Sequence, residues 1–223
     1  MSYIYLFLIQ LPILLFTLTI HEFSHGLVAY KLGDDTAKRA GRLTLNPISH
    51  IDPIGLIMLF LVRIGWAKPV PINPYNFRNY KRDTALSAAA GPASNFILAI
   101  ILAIGYRLVT AGSGFNGMQR FFLTLQYSEF SGIGDFLNFI VMFTIFINLA
   151  LGLFNLIPIP PMDGSKILGG FLSDEAYYKY TARERQGAQI LLIIFVLSFV
   201  FHLNLIGRLI FPPLLFLMKI LVG

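Results

Sequence analysis

From Tyr3 to Ile20 the chain carries no charged residue. Eighteen residues of helix measure ~27 Å at ~1.5 Å per residue, close to the ~30 Å hydrocarbon core of a bilayer. Nothing in the sequence constrains the fold more. Backbone at that depth has no water to bond, so it must be helical or part of a closed barrel. Counting this run as a helix over 3–29, further stretches of sufficient length lie at 84–108, 136–157 and 188–207. A shorter one, 209–222, contains Pro212 and Pro213, which transmembrane helices tolerate. Composition agrees. Hydrophobic residues make up 56% and charged residues 13%, against about 45–50% and about 25% in soluble domains. The sequence is that of an all-α polytopic membrane protein with about five to six transmembrane helices, expected as a single domain over 1–223. The first run differs from a secretory signal, because no Lys or Arg precedes Lys31 and no small-residue cleavage site follows.

The stretch 53–66, PIGLIMLFLVRIGW, is too short to decide by length between a span and a re-entrant hairpin. Charge decides. If it dips and returns, thirteen of the 17 Lys and Arg share one side, with Arg107, Arg120 and Arg208 opposite and Arg63 unassigned. If it spans, the split is seven against nine. Lys and Arg gather on the cytoplasmic side, so the first case is expected. It gives an outside N-terminus, five crossings and a cytoplasmic C-terminus. The net charge of +6 then reports topology and does not point to nucleic acid. With no cysteine, thiolate metal ligands are excluded.

The region 35–80 reads as a short strand-containing, membrane-associated insertion. GRLTLNP (41–47) suggests a strand closed by an Asn-Pro turn, and WAKPVPINP (66–74) an extended, Pro-rich edge. Asp83 and Thr84 suggest the N-cap of the next span.

Where the first uncharged run ends, His21, Glu22 and His25 arrive within five positions as HEFSH. Ionisable groups within a span cost ~2.5–3.5 kcal/mol each even on the lenient insertion scale, so three together demand a function. On a helix, residues four apart share one face, and two imidazoles so placed can grip one Zn²⁺. The Glu between them then acts as general base on a water. A catalytic zinc takes three protein ligands and leaves a position open. Four residues are candidates for the third ligand: His50, Asp52, Asp163 and His202. His50 and Asp52 sit in a loop beside Pro47 and Pro53, where a turn role is expected. His202 falls at the opposite end of its helix from the metal. Asp163 ends an uncharged run from Phe136 to Met162 on the right side, after Pro158, Pro160 and Pro161 break the helix.

HEFSH in the first helix, AAGPASN (89–95) opening the next, and NLIPIPPMDG (155–164) ending the third resemble the site-2 protease family of intramembrane zinc metalloproteases. The three motifs occur in the family's order over roughly residues 19–170. The resemblance implies a three-helix catalytic core (3–29, 84–108, 136–157) with C-terminal helices over 188–222. It implies one Zn²⁺ per chain on His21, His25 and Asp163, with Glu22 as catalytic base. It further implies that Asn155 contacts the substrate or its oxyanion, while Asn95 either packs or supports the site. The implied activity is hydrolysis of peptide bonds in or near the transmembrane segments of protein substrates, with the active site toward the cytoplasmic side of a prokaryotic cell membrane.

Three other readings bear on the same residues. A metal transporter would want ionisable groups at mid-membrane on several helices, and 84–108, 136–157 and 188–207 carry none in their mid-regions. An inactive homologue would need ligands but no Glu22. A zinc protease for soluble peptides would not sink its site into a span.

Overall fold

The computed structural model describes residues 3–62, 65–112 and 116–223. Among these residues the regular secondary structure is all helical, apart from a single antiparallel bridge pairing Ile51 with Ala67. The expected strand at 41–47 is absent. Those residues instead run as turns into a 3-10 helix, Pro47–His50, capped by the Asn46 side chain on the Ile48 N–H. Prolines at 47, 69 and 71 supply no N–H, so no ladder can extend from the single bridge.

Three long helices form the core: α1 (Tyr3–Lys31), α4 (Tyr80–Thr110) and α6 (Ile133–Asn155). Between α1 and α4 lie the single turn α2 (Thr36–Arg39) and α3 (Pro53–Val62). An amphipathic helix, α5 (Gly117–Tyr127), precedes α6 and buries Phe121 against it. Sequence reading missed α5 because 11 residues are too few to register as a span. After α6 come α7 (Asp163–Phe171), α8 (Asp174–Thr181), α9 (Glu184–Val200) and α10 (Leu205–Val222). Apolar side chains of α1, α4, α5, α6 and α10 share one cluster, with Phe121, Phe139, Met142 and Ile145 fully enclosed. Much of the outer surface is exposed Ile, Leu, Val and Phe, as a lipid-facing surface requires.

Among the described residues four helices, α1, α4, α6 and α10, are long and apolar enough to cross a membrane, against the expected five to six. The difference lies in α9, which at 17 residues is shorter than the expected 188–207. The chain breaks at 201–204, where His202 and Asn204 adopt positive φ. In turn α4 starts earlier than expected. Asn79, not Asp83, is its N-cap, accepting from the Arg82 N–H at 3.0 Å, while Asp83 accepts from the Asn79 N–H at 3.0 Å.

The segment after Ile51 leaves and returns to one place. The Ile51–Ala67 bridge and a Lys68 N–H to His50 C=O bond of 2.9 Å join its two ends. At ten residues, α3 is ~15 Å long, half a bilayer core. Gly55 permits the close return, because a Cβ there would meet the Trp66 carbonyl. Arg63 lies outside the described residues.

Candidate active site

The Pro-rich turn after α6 returns the chain so that α7 begins against α1 and α4. Asp163 is the first residue of α7, where the helix N-terminus favours a carboxylate. Gly164 allows the approach, since a Cβ would come within 2.6 Å of the Ile157 carbonyl. The fold thereby unites His21, His25 and Asp163, all buried. The two Nε2 atoms are 3.0 Å apart, and Asp163 Oδ2 lies 3.1 Å from His21 Nε2 and 3.2 Å from His25 Nε2.

Hydrogen bonds on the far side of each ring fix where the protons are. His25 Nδ1 is 2.7 Å from the Ser87 carbonyl, which only accepts, so this nitrogen donates. His21 Nδ1 is 2.6 Å from Asn95 Oδ1. The orientation of that amide is set by a relay. Asn148 Nδ2 donates to the Thr144 carbonyl at 2.8 Å and to Thr17 Oγ1 at 3.0 Å. Its Oδ1 therefore faces Asn95 Nδ2, at 2.9 Å. Asn95 must then turn its oxygen to His21, and His21 Nδ1 must donate. A neutral ring with Nδ1 donating presents its Nε2 lone pair, and both Nε2 atoms point at a carboxylate oxygen of Asp163. Asp163 Oδ2 is itself buried with no hydrogen-bond partner. Two imidazole nitrogens and a carboxylate oxygen thus converge within 3.2 Å of one another, a group that could hold a metal ion.

The donor set fits zinc. Bonds of ~2.0–2.1 Å in a tetrahedral arrangement place ligand atoms roughly 3.3 Å apart, and the three observed separations are 3.0, 3.1 and 3.2 Å. The outer partners, Asn95 and the Ser87 carbonyl, are of the kind that hold metal-binding histidines in one tautomer.

Glu22 lies between the two histidines in the sequence and makes a contact of its own. Its Oε2 accepts the Val70 N–H at 2.8 Å, which pins one carboxylate oxygen and leaves the other available. The extended stretch that carries Val70 is anchored twice. Arg42 donates to the Lys68 carbonyl at 2.8 Å. Asp34, fully buried, accepts the Asn73 N–H at 2.7 Å, the Asn76 amide at 2.7 Å and the Thr36 N–H at 3.1 Å. Burial pushes the Asp34 pKa up, but these hydrogen bonds outweigh it and hold the carboxyl below its ordinary value.

The remaining sequence candidates fall elsewhere. His50 is buried and bonds the Thr44 carbonyl through Nε2 at 2.9 Å. Asp52 caps α3, accepting from the Gly55 N–H at 2.7 Å. His202 sits in the exposed turn before α10. Asn155 donates to the Leu151 carbonyl of its own helix at 3.0 Å and has no hydrogen bond to the triad.

Three contributors escaped the sequence reading. Asn148 could have been found, as an amide within an apolar run of α6, seven residues before Asn155. Ser87 acts through its backbone, which no side-chain pattern reveals. Gly91 belongs to AAGPASN, yet its role is specific: a Cβ would lie 2.5 Å from His25 Cε1 and 2.6 Å from His21 Cε1.

The model of "Peptidase family M50" matches residues 73–201 of the chain. The chain is 38% identical over 198 residues to "Putative zinc metalloprotease YwhC" of Bacillus subtilis, covering 87% of this chain and 84% of that protein. It is 27% identical over 201 residues to "Putative zinc metalloprotease Rip2" of Mycolicibacterium smegmatis, covering 88% and 70%. Against "Putative zinc metalloprotease MJ0611" of Methanocaldococcus jannaschii the figures are 30% over 152 residues, 66% and 62%. No solved structure gives a significant match. Together with the membrane-length helices and the His-His-Asp cluster, these similarities identify the chain as a member of peptidase family M50, the site-2 protease family of membrane zinc metalloproteases.

Proposed function

We propose that the protein is an intramembrane zinc endopeptidase, cutting peptide bonds in or near the transmembrane segments of other proteins. The observation that carries this reading is the buried triangle of His21, His25 and Asp163, with Glu22 between the two histidines in the same helical turn. In this proposal the three residues hold one zinc ion through Nε2, Nε2 and a carboxylate oxygen. A zinc there supplies Lewis acidity, lowering the pKa of a water from 15.7 to about 7 and polarising a carbonyl.

The chain's own groups do the rest. Glu22, steadied by Val70, accepts a proton from the attacking water through its free oxygen and returns it to the leaving amine. Asn95 and Asn148 keep His21 in its donating tautomer. Asn155 can release Leu151 and offer its amide N–H to the developing oxyanion, a role side-chain amides fill elsewhere. The substrate must unwind first, because a helical peptide bond is shielded from attack.

The proposed topology places the N-terminus outside and the triad toward the cytoplasm. The closed 52–66 excursion favours it, since such a segment returns to its starting side. Five crossings follow if α9 spans, and its 17 residues reach the lower limit of ~17. Residues 1–223 then act as one catalytic unit in the bilayer, with a membrane-spanning protein as substrate.

The test is cleavage of a panel of single-span reporter proteins by purified protein in proteoliposomes, with and without a zinc chelator. Cleavage abolished by the chelator and restored by zinc supports the proposal. Cleavage that survives complete metal removal overturns it.

A further inference from the structure

The stretch LNPISHIDP (45–53) contributes nothing to the metal triangle, yet it builds one wall of a separate cavity. The cavity encloses about 110 Å³. Its α1 wall is Leu15, Leu18 and Thr19, which lie on the same helix face as Glu22, seven, four and three residues before it. Opposite stands Leu151 of α6, one turn before Asn155. Leu56 of α3 and Trp66 close the remaining sides. On α1 the space therefore begins one turn before the proposed base, and on α6 one turn before the proposed oxyanion donor.

Two observations mark it as more than a packing defect. The first is continuity. An open groove of about 460 Å³ shares Leu14 and Leu59 with it and runs on along α1 and α6, past Phe143 and Ile147. Phe143, Ile147, Leu151 and Asn155 are spaced by four and so border one continuous path. The second is His50, which lines the cavity and is 3% exposed. Its Nε2 bonds the Thr44 carbonyl and so donates, which leaves Nδ1 an acceptor, and that atom is buried with no partner. A buried acceptor left without a donor is costly, and this one belongs to a residue that lines the cavity.

We propose that this cavity is a substrate subsite, taking one side chain of the unwound substrate, with His50 as the residue that sets its preference. The proposal rests on the protease reading above. One helical turn between Leu18 and Glu22 is ~5.4 Å, and an extended chain rises ~3.3 Å per residue. The side chain is therefore about two residues from the scissile bond, on the side deeper in the membrane. An apolar cavity of ~150 Å³ admits a benzene, so a smaller one takes an aliphatic side chain and rejects Trp. The bare Nδ1 selects threonine over valine, its isostere, because only threonine brings a donor.

The test is a single-span reporter whose residue at that position is Ala, Val, Thr, Leu or Trp, cleaved by wild type, Leu56→Ala, Leu56→Phe and His50→Phe. Wild type should cut Leu about 10–200-fold better than Trp, the range such pockets achieve. Thr should exceed Val by roughly 2–10-fold, the worth of one hydrogen bond. Leu56→Ala should admit Trp, and Leu56→Phe should lose Leu but keep Ala. His50→Phe should equalise Thr and Val while keeping the size limit. Rates that shift by one common factor for every reporter, or a Thr-to-Val ratio unmoved by His50→Phe, overturn the subsite.

A binding arm separates this from failure of the protease reading. Trp66 is the sole tryptophan, and it lines the cavity. A synthetic single-span peptide with a brominated alanine scanned along it should quench Trp66 fluorescence in Glu22→Gln protein most strongly at one register. If no reporter is cut yet that quenching is found, the subsite stands and the protease reading falls. Quenching equal at every register, or absent, overturns the subsite.

Discussion

Asn148 on α6 dictates the tautomer of His21 on α1 without touching it. Its amide is locked by the Thr144 carbonyl, it turns Asn95, and Asn95 turns the His21 ring. Each link has only one consistent donor direction. Loss of an outer partner of a metal-binding histidine typically costs 10–100-fold in metal affinity. Asn148→Leu and Asn95→Ala are expected to weaken zinc binding within that range while leaving the ligands present. Competition with a chelator of known affinity measures it. Wild-type affinity in both variants contradicts the relay.

Gly91 offers a paired test on one helix. A Cβ there collides with both histidine rings, whereas at Gly105 it meets nothing within 4 Å. Gly105→Ala should leave zinc content unchanged and stabilise α4 by roughly 0.5–1 kcal/mol, as removal of a mid-helix glycine does. Gly91→Ala should lose zinc and activity together. Zinc per chain and the thermal midpoint of each variant check both expectations.

The fold was legible where a lipid-length run is uncharged, because burial of backbone polar groups admits little besides helix. The candidate metal triad was legible because its three ionisable groups sit in otherwise apolar surroundings. What stayed hidden were contacts set by tertiary geometry: the Ser87 carbonyl, the Val70 N–H on Glu22, and the close approach at Gly91. The strand expected at 41–47 failed for a local reason, since a strand needs a partner and the prolines remove its donors. The Asp83 cap failed because Asn79, four residues earlier, offers the same chemistry and Asp83 serves it from within the first turn.

Asp34 links pH to the stretch over Glu22. Its folded pKa is lowered, so its stabilising contribution is full above the ordinary carboxylate value of ~3.9 and is lost as pH falls through the lower folded value. Hydrogen exchange at 68–76 should be slow at pH 7 in wild type and accelerate below about pH 4, once corrected for intrinsic rates. Asp34→Asn should show fast exchange there already at pH 7, with no acid step. Identical profiles for the two proteins contradict the anchor.

Topology is accessible because the chain has no cysteine. Tyr75 is 85% exposed and makes no side-chain hydrogen bond that labelling would break. Tyr75→Cys should react with an impermeant thiol reagent only in inside-out vesicles, and Glu129→Cys only in intact cells. Reaction of Tyr75→Cys in intact cells contradicts the proposed orientation.

The most direct measurement combines zinc stoichiometry with turnover in Glu22→Gln. Glutamine keeps the Val70 contact and the size of the side chain but cannot take a proton, and a positioned general base contributes ~10²–10⁴-fold. The expected result is wild-type zinc content, one ion per chain, with reporter cleavage lowered by at least ~10²-fold. Cleavage at the wild-type rate by zinc-loaded Glu22→Gln would contradict the assignment of Glu22 as the base.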